Sequence, residues 1–157
     1  MKKLLLTAII LTASMVCHAQ DSTKTKPVYD AALAKKLGAD EYGMKKYVMA
    51  FLKRGPNRPT DSVAAMKLQM AHLKNIGRLA AEGKLIVAGP FLDDQDIRGI
   101  FIFNVETVEE AKKLTETDPA VQAGSLIMEL HPFYCSAALM EVVPIHNTIQ
   151  AKKITDQ

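Results

Sequence analysis

From Met44 onward the chain alternates between compact apolar runs and amphipathic stretches. MKKYVMAFLKRG gathers Tyr47, Val48, Met49, Phe51 and Leu52 into a short run stopped by Gly55-Pro56, which predicts a buried strand over about residues 45–53. The loop GPNRPT follows. Thr60, Asp61 and Ser62 then offer N-caps, and the spacing predicts a long helix running to Glu82 before Gly83. Val63, Met66, Met70, Leu73, Gly77 and Ala80 form one apolar stripe at helical spacing, with Lys67, Lys74, Arg78 and Glu82 on the other side. Ala65, Leu68, Ile76 and Leu79 make a second apolar flank. His72 falls inside that flank, four residues from Leu68 and from Ile76, and so is not on the lysine face.

Two β-prone runs follow, KLIVAGP at 84–90 and IFIFNV at 100–105, separated by the acidic loop FLDDQDIRG. They predict an antiparallel hairpin. Thr107-Val108-Glu109-Glu110 has capping-box spacing, with Val108, Ala111 and Leu114 on one face of the helix it opens, which is expected to end near Thr115. In TDPAVQAG, Asp118 fits an N-cap, Pro119 the first helical position and Gly124 the stop of a one-turn helix. LIMELHPFY at 126–134 reads as the fourth strand. The order β-α-β-β-α-β is the ferredoxin-like split βαβ arrangement, an α+β fold with both helices on one sheet face. The strands carry apolar residues of both parities, so the other face needs a partner. A homodimer that stacks two sheets would supply it.

The flanks are different in kind. The opening MKKLLLTAIILTASMVCHAQ has Lys2 and Lys3, an uncharged apolar run from Leu4 to Val16, and small residues before a cut at Ala19. That is the layout of a signal peptide over residues 1–19, with export to a periplasmic or extracellular space as its consequence. The run is short for a span of about 20 residues, so no stable membrane span is expected after cleavage. A lipoprotein signal through Cys17 fits less well, because Ser14-Met15-Val16 lacks the small residues that normally adjoin such a cysteine. Residues 20–43 read as a polar leader and a short helical appendage, YDAALAKKL, ended by Gly38. Residues 135–157 form a C-terminal tail, partly helical, in which Pro144 argues for a break.

Composition adds little except exclusions. The formal charge of +3 includes Lys2 and Lys3, no basic stripe is present, and nothing points to nucleic acid. Of the two cysteines one lies in the signal, leaving Cys135 without a disulfide partner; a structural thiol is its simplest reading. There is no H-E-x-x-H and no C-x-x-C, so neither a metal nor a cofactor is expected. Asp93, Asp94 and Asp96 lack the Gly and terminal Glu of a calcium loop and read as a solvated loop.

The string AHLKNIGRLAAEGKLIVAGP (71–90), together with DPAVQAG (118–124), resembles the YCII-related family. The matching positions are His72, Leu79, Gly83, Leu85, Gly89-Pro90, Asp118-Pro119 and Gly124, and the similarity covers about residues 44–134. The resemblance implies a dimeric α+β barrel in which the histidine and the aspartate meet in a pocket. Here they are His72 and Asp118. The family is related in fold to muconolactone isomerase-like enzymes, a relation that does not carry chemistry with it.

Read from the residues, His72 is an imidazole among Leu and Ile, where a carboxylate would fix its tautomer and orientation for acid–base work. The competing reading is a core histidine bonded to backbone. Asp118 is explained as a cap worth about 1 kcal/mol, yet one carboxylate oxygen can cap while the other faces a histidine. Gly89, Pro90 and Arg98 are the expected ligand-binding positions, Arg98 for an acidic ligand. Glu129 and His131 share strand parity and belong either to a pocket or to a polar patch at the dimer face. His146 is expected at the surface. The resulting expectation is an exported protein that binds a small polar or carboxylated molecule beside a His–Asp pair acting in an isomerase, lyase or hydrolase step. The alternative is a non-catalytic ligand-binding or scaffold dimer.

Overall fold

The four strands pair as one antiparallel sheet in the order β2-β3-β1-β4, with β1 at Met44–Arg54, β2 at Leu85–Pro90, β3 at Ile97–Phe103 and β4 at Leu126–Ser136. This computed structural model describes residues 27–156. The signal peptide expected over 1–19 and the leader up to residue 26 lie outside the described residues. Between the strands run α2 (Ser62–Ala81), α3 (Val108–Thr115) and the one-turn α4 (Pro119–Gln122); α1 (Ala31–Leu37) precedes the sheet and α5 (Val142–Ile149) follows it. The strand order is the ferredoxin-like one. β1 is an inner strand, and its apolar stretch from Tyr47 to Leu52 offers side chains to both sheet faces. It pairs with β3 on one side and along its whole length with β4, from Met44↔Ser136 to Arg54↔Leu126.

Alternation along β1 divides the core in two. Val48, Ala50 and Leu52 point toward the helices and pack with Leu79, Leu85, Phe101, Phe103 and Ala111. Fully burying an aliphatic side chain such as Leu79 contributes about 1.5–3 kcal/mol. Tyr47 and Met49 point the other way and gather Ile86, Ile102, Phe133 and Cys135. Burial raises the Tyr47 phenol above its ordinary value, with Cys135 adding to the effect.

Sequence periodicity did not settle which stripe of α2 faces inward. Val63 and Met66 are each 72 % exposed and Gly77 is exposed, whereas His72, Asn75 and Leu79 are buried. The flank that carries His72 is therefore the buried one. The C-terminal half of α2 supplies the core contacts of the helix, through Ile76 and Leu79, and its first turn is exposed.

The second sheet face is not left entirely to a partner. A 3₁₀ turn at Ala137–Glu141 lays Leu139 and Met140 over it, α5 lies beside the edge strand β2, and a last turn at Ile154–Asp156 reaches α2. Pro144 does not break this tail. It stands in the first turn of α5, where the backbone N–H has no intrahelical acceptor and its loss costs nothing. What stays open on that face is the end at Phe51, Lys53, Ile127, Glu129 and His131. Among the described residues no helix is long and apolar enough to cross a membrane.

Candidate functional site

Asp118 occupies a position set by local chemistry. Its backbone is extended (φ −82°, ψ 121°), Pro119 opens α4, and Oδ1 accepts from the Ala120 N–H at 2.9 Å. That leaves Oδ2, which lies 2.7 Å from Nδ1 of His72. Both residues are buried, Asp118 to 1 % exposure and His72 to 7 %. One carboxylate thus caps the start of α4 and grips an imidazole forty-six residues away in the chain. An ionised carboxylate only accepts hydrogen bonds, so the contact puts the proton on Nδ1 and leaves Nε2 with the basic lone pair.

The ring is also held from its face. His72 stacks on Phe101 of β3, with centroids 5.9 Å apart and planes 12° apart. Phe101 in turn meets Phe103 edge-on at 5.8 Å. Nε2 makes no hydrogen bond among the described residues, and it is not sealed in. The only fully buried side-chain polar atom there without a partner is Asn75 Nδ2. The atom free to do chemistry is thus the one with access.

One turn further along α2 a second network anchors the site. Arg78 donates to Asn75 Oδ1 and to Thr117 Oγ1, both at 2.8 Å, and Thr117 donates to the Leu114 carbonyl at 2.7 Å. Arg78 can only donate, so it fixes the orientation of the Asn75 amide. Thr117 adjoins Asp118, and the network ties α2 to the segment that presents the carboxylate. Sequence reading put Arg78 on the solvent side. Its role was hidden because both partners, Asn75 and Thr117, are ordinary polar residues in the sequence.

Toward the N-terminal end of α2 from His72 is a cavity of about 100 Å³. Arg58, Leu68, Gln69, Ala120, Ser125 and Leu126 are among its walls. Leu68 and Gln69 precede His72 by one helical turn, and Ala120 is the residue capped by Asp118. Helical side chains lean toward the N-terminus, so the His72 ring leans toward this end of α2. None of these cavity residues was singled out from sequence as a site residue, Leu68 being read only as part of an apolar flank. The available signal was the Arg58-Pro59 pair in the loop before the helix.

The other expected positions have surroundings of their own. Gly89 and Pro90 end the edge strand β2, paired with Ile100 and Gly99. Arg98 donates to Asp94 Oδ1 at 2.9 Å and to the carbonyls of Asp93 and Gln95, and Arg54 meets the same Asp94 oxygen at 2.5 Å. The acidic loop is thereby tied down by two arginines. Among the described residues no hydrogen bond joins Gly89, Pro90 or Arg98 to His72 or Asp118. Glu129 and His131 do share a face: Oε1 and Nε2 are 2.9 Å apart, Lys53 pairs with the same carboxylate, and His131 packs edge-on against Phe51 at 5.7 Å. Lys53, followed by His131, holds the Glu129 carboxyl below its ordinary range. His146 is exposed on α5.

A four-stranded antiparallel sheet in ferredoxin-like order, with a buried His–Asp contact under its helices, defines a small α+β protein. The model of the YCII-related domain matches residues 47–134, more than half of the chain, and the chain belongs to that family. It is similar to the solved structure of 5-chloro-2-hydroxyhydroquinone dehydrochlorinase (TftG) from Burkholderia phenoliruptrix AC1100, in complex with 2,5-dihydroxybenzoquinone. The identity is 26 % and the TM-score 0.41, over 55 % of this chain and 92 % of that one. No curated protein matches the chain.

Proposed function

We propose that this YCII-related protein binds a small polar or carboxylated molecule next to His72 and moves a proton on it. His72 Nε2 takes or returns the proton. Asp118 holds the ring in the tautomer that leaves Nε2 basic, and its charge stabilises the imidazolium formed when Nε2 is protonated. The observation that supports this is the asymmetry of the imidazole: Nδ1 is locked at 2.7 Å to a buried carboxylate, while Nε2 has no partner. A histidine placed only for packing would need neither the charge nor the open nitrogen. Proton transfer is the step common to isomerase, lyase and hydrolase reactions.

The test is a pH titration of the His72 ring signals by NMR, in the native chain and in Asp118→Asn, alongside a turnover screen of small carboxylic and hydroxy acids. The reading expects the Asn variant to change the His72 titration and tautomer, and His72→Gln to abolish any turnover found. An unchanged titration in Asp118→Asn would remove the pair from the chemistry.

We also infer that a second copy of the chain seats on the open end of the second sheet face. Ile127 there is 49 % exposed; Lys53 faces it across the β1–β4 ladder, and Phe51, opposite Glu129, is its diagonal neighbour on the same face. The tail covers the rest of the face, so the contact would be confined to this end. Sedimentation of native protein and of Ile127→Lys checks it: a dimer is expected for the first and a monomer for the second.

A further inference from the structure

The cavity one helical turn before His72 gathers polar side chains from three separate parts of the chain. Three of its residues, Arg58, Gln69 and Ser125, bear polar side chains; Arg58 and Gln69 are exposed at its mouth and Ser125 is buried, and none of the three is engaged by a side-chain hydrogen bond or ion pair among the described residues. Ser125 is only 7 % exposed, yet its hydroxyl is not among the fully buried orphan atoms, so what access it has is into this space. Its backbone is fully engaged: the N–H donates to the Ala120 carbonyl at 2.9 Å and the carbonyl accepts from Gly55 N–H at 2.9 Å. The remaining walls are apolar, including Leu68 and Leu126. Polar side chains that converge on one recess and are free to take a partner are the mark of a ligand subsite.

Each of the three groups can donate. Arg58 offers a guanidinium, Gln69 an amide N–H and Ser125 a hydroxyl. No carboxylate lines the cavity. We infer that this cavity, built from Arg58, Gln69 and Ser125, is the subsite for a carboxylate, and that the molecule acted on at His72 is a short carboxylic acid. One cation with two neutral donors balances a single negative charge, which favours a carboxylate over a phosphate dianion. The size agrees. About 100 Å³ holds a few non-hydrogen atoms and is well below the roughly 300 Å³ where drug-sized pockets begin. The separation along the helix agrees as well. Gln69 and Leu68 stand one turn, about 5.4 Å, before His72. A carboxylate held there is one helical turn from His72, a separation that a short carbon chain can bridge.

The loop bearing Arg58 is positioned rather than loose. Gly55 N–H donates to the Ser125 carbonyl and Asn57 N–H to the Gly124 carbonyl, at 2.9 and 3.0 Å. These two bonds clip the loop to the segment that follows α4, so Arg58 and Ser125 face one space from two sides.

This subsite deepens the acid–base reading of His72 and rests on it for the reaction, but its test does not require turnover. The full chain is titrated with acetate, with its neutral isostere acetamide and with inorganic phosphate, and the amide signals of Gln69, Ala120 and Ser125 are followed by NMR. Saturable binding of acetate at least tenfold tighter than of acetamide is expected. Arg58→Gln should lose at least tenfold in acetate affinity, Arg58→Lys should retain part of it, and Asp118→Asn should retain most of it. Acetate binding no better than acetamide, or unaffected by Arg58→Gln, overturns the subsite; phosphate binding tighter than acetate overturns its assignment to carboxylates. If Asp118→Asn leaves the His72 titration unchanged while acetate still binds, the acid–base pair fails and the subsite stands.

Discussion

His72 and Phe101 lie parallel, one ring from a helix and the other from the strand beneath it, 5.9 Å apart between centroids. Asp118 therefore fixes the imidazole in its plane and Phe101 fixes it across its plane. Phe101 is also a core residue at 2 % exposure. Phe101→Ala should cost about 3–5 kcal/mol in urea unfolding. Phe101→Leu should cost less, yet free the ring to tilt. The informative readout is the His72 side-chain NMR line shape, expected to broaden in Phe101→Leu while the rest of the spectrum is kept.

The two functions of Asp118 can be separated by choice of substitution. Asparagine caps a helix about as well as aspartate, so Asp118→Asn should keep α4 and remove only the charge. Asp118→Ala removes the cap, about 1 kcal/mol, and strips His72 Nδ1 of its acceptor, a further loss of about 1–3 kcal/mol. Chemical denaturation of the two variants should rank Ala clearly below Asn. Equal stabilities would mean that α4 is held by something other than its cap.

Gly55 and Gly124 meet so closely that a Cβ on Gly55 would stand 2.2 Å from the Gly124 carbonyl oxygen. That contact is backbone against backbone and cannot relax by a rotamer change. Gly124 has φ +69° and its added Cβ would meet the end of the Asn57 side chain, which can move. Gly124→Ala should cost roughly 1–2 kcal/mol, the left-handed penalty. Gly55→Ala should cost more and pull the Arg58 loop off Ser125. Thermal unfolding gives the ranking, and the Ser125 amide shift reports the loop.

Acid should weaken the fold through surface carboxylates. Asp40 is held below its ordinary 3.8 first by the Tyr134 hydroxyl and then by the Met44 N–H. Glu110, the capping-box acid, is held below its ordinary 4.5 chiefly by the Thr107 hydroxyl. A carboxyl with a lowered value in the folded state protonates first in the unfolded chain. Its contribution is complete above the ordinary value and is lost as pH falls through the folded one. The urea midpoint should therefore drop from about pH 5 to about pH 3. Asp40→Asn, which keeps an acceptor oxygen but cannot titrate, should show a shallower drop over the same range.

How legible the fold was in the sequence depended on how local each signal was. The caps were readable because they act within four residues: Asp61, Thr107 and Asp118 all accept the backbone N–H their spacing called for. The strand order followed from element order and the faces from parity. The inward side of α2 did not follow, because two apolar flanks were equally regular and only the position of the sheet chooses between them. His72 and Asp118 were each readable and so was their family spacing, whereas the 2.7 Å contact belongs to the tertiary structure. Arg58, Gln69 and Ser125 were not readable as a group. They come from a loop, a helix and a strand entry, and only the folded chain gives them a common space. Arg98 looked free in the sequence because its partners lie in its own loop, three to five residues back.

The long ladder between β1 and β4 has a consequence for the order in which the molecule assembles. β1 is the first strand made, yet both of its neighbours come later, and β4 is the last of the four. Its full register, Met44↔Ser136 to Arg54↔Leu126, joins the two ends of the domain. Pairings of such sequence separation place folding in the slower range of small domains. A growing chain can form α2 and the β2–β3 hairpin early, but the central strand stays half-paired until residue 136 is available. His72 waits on the same event, since Asp118 is carried into place by the turn that leads into β4.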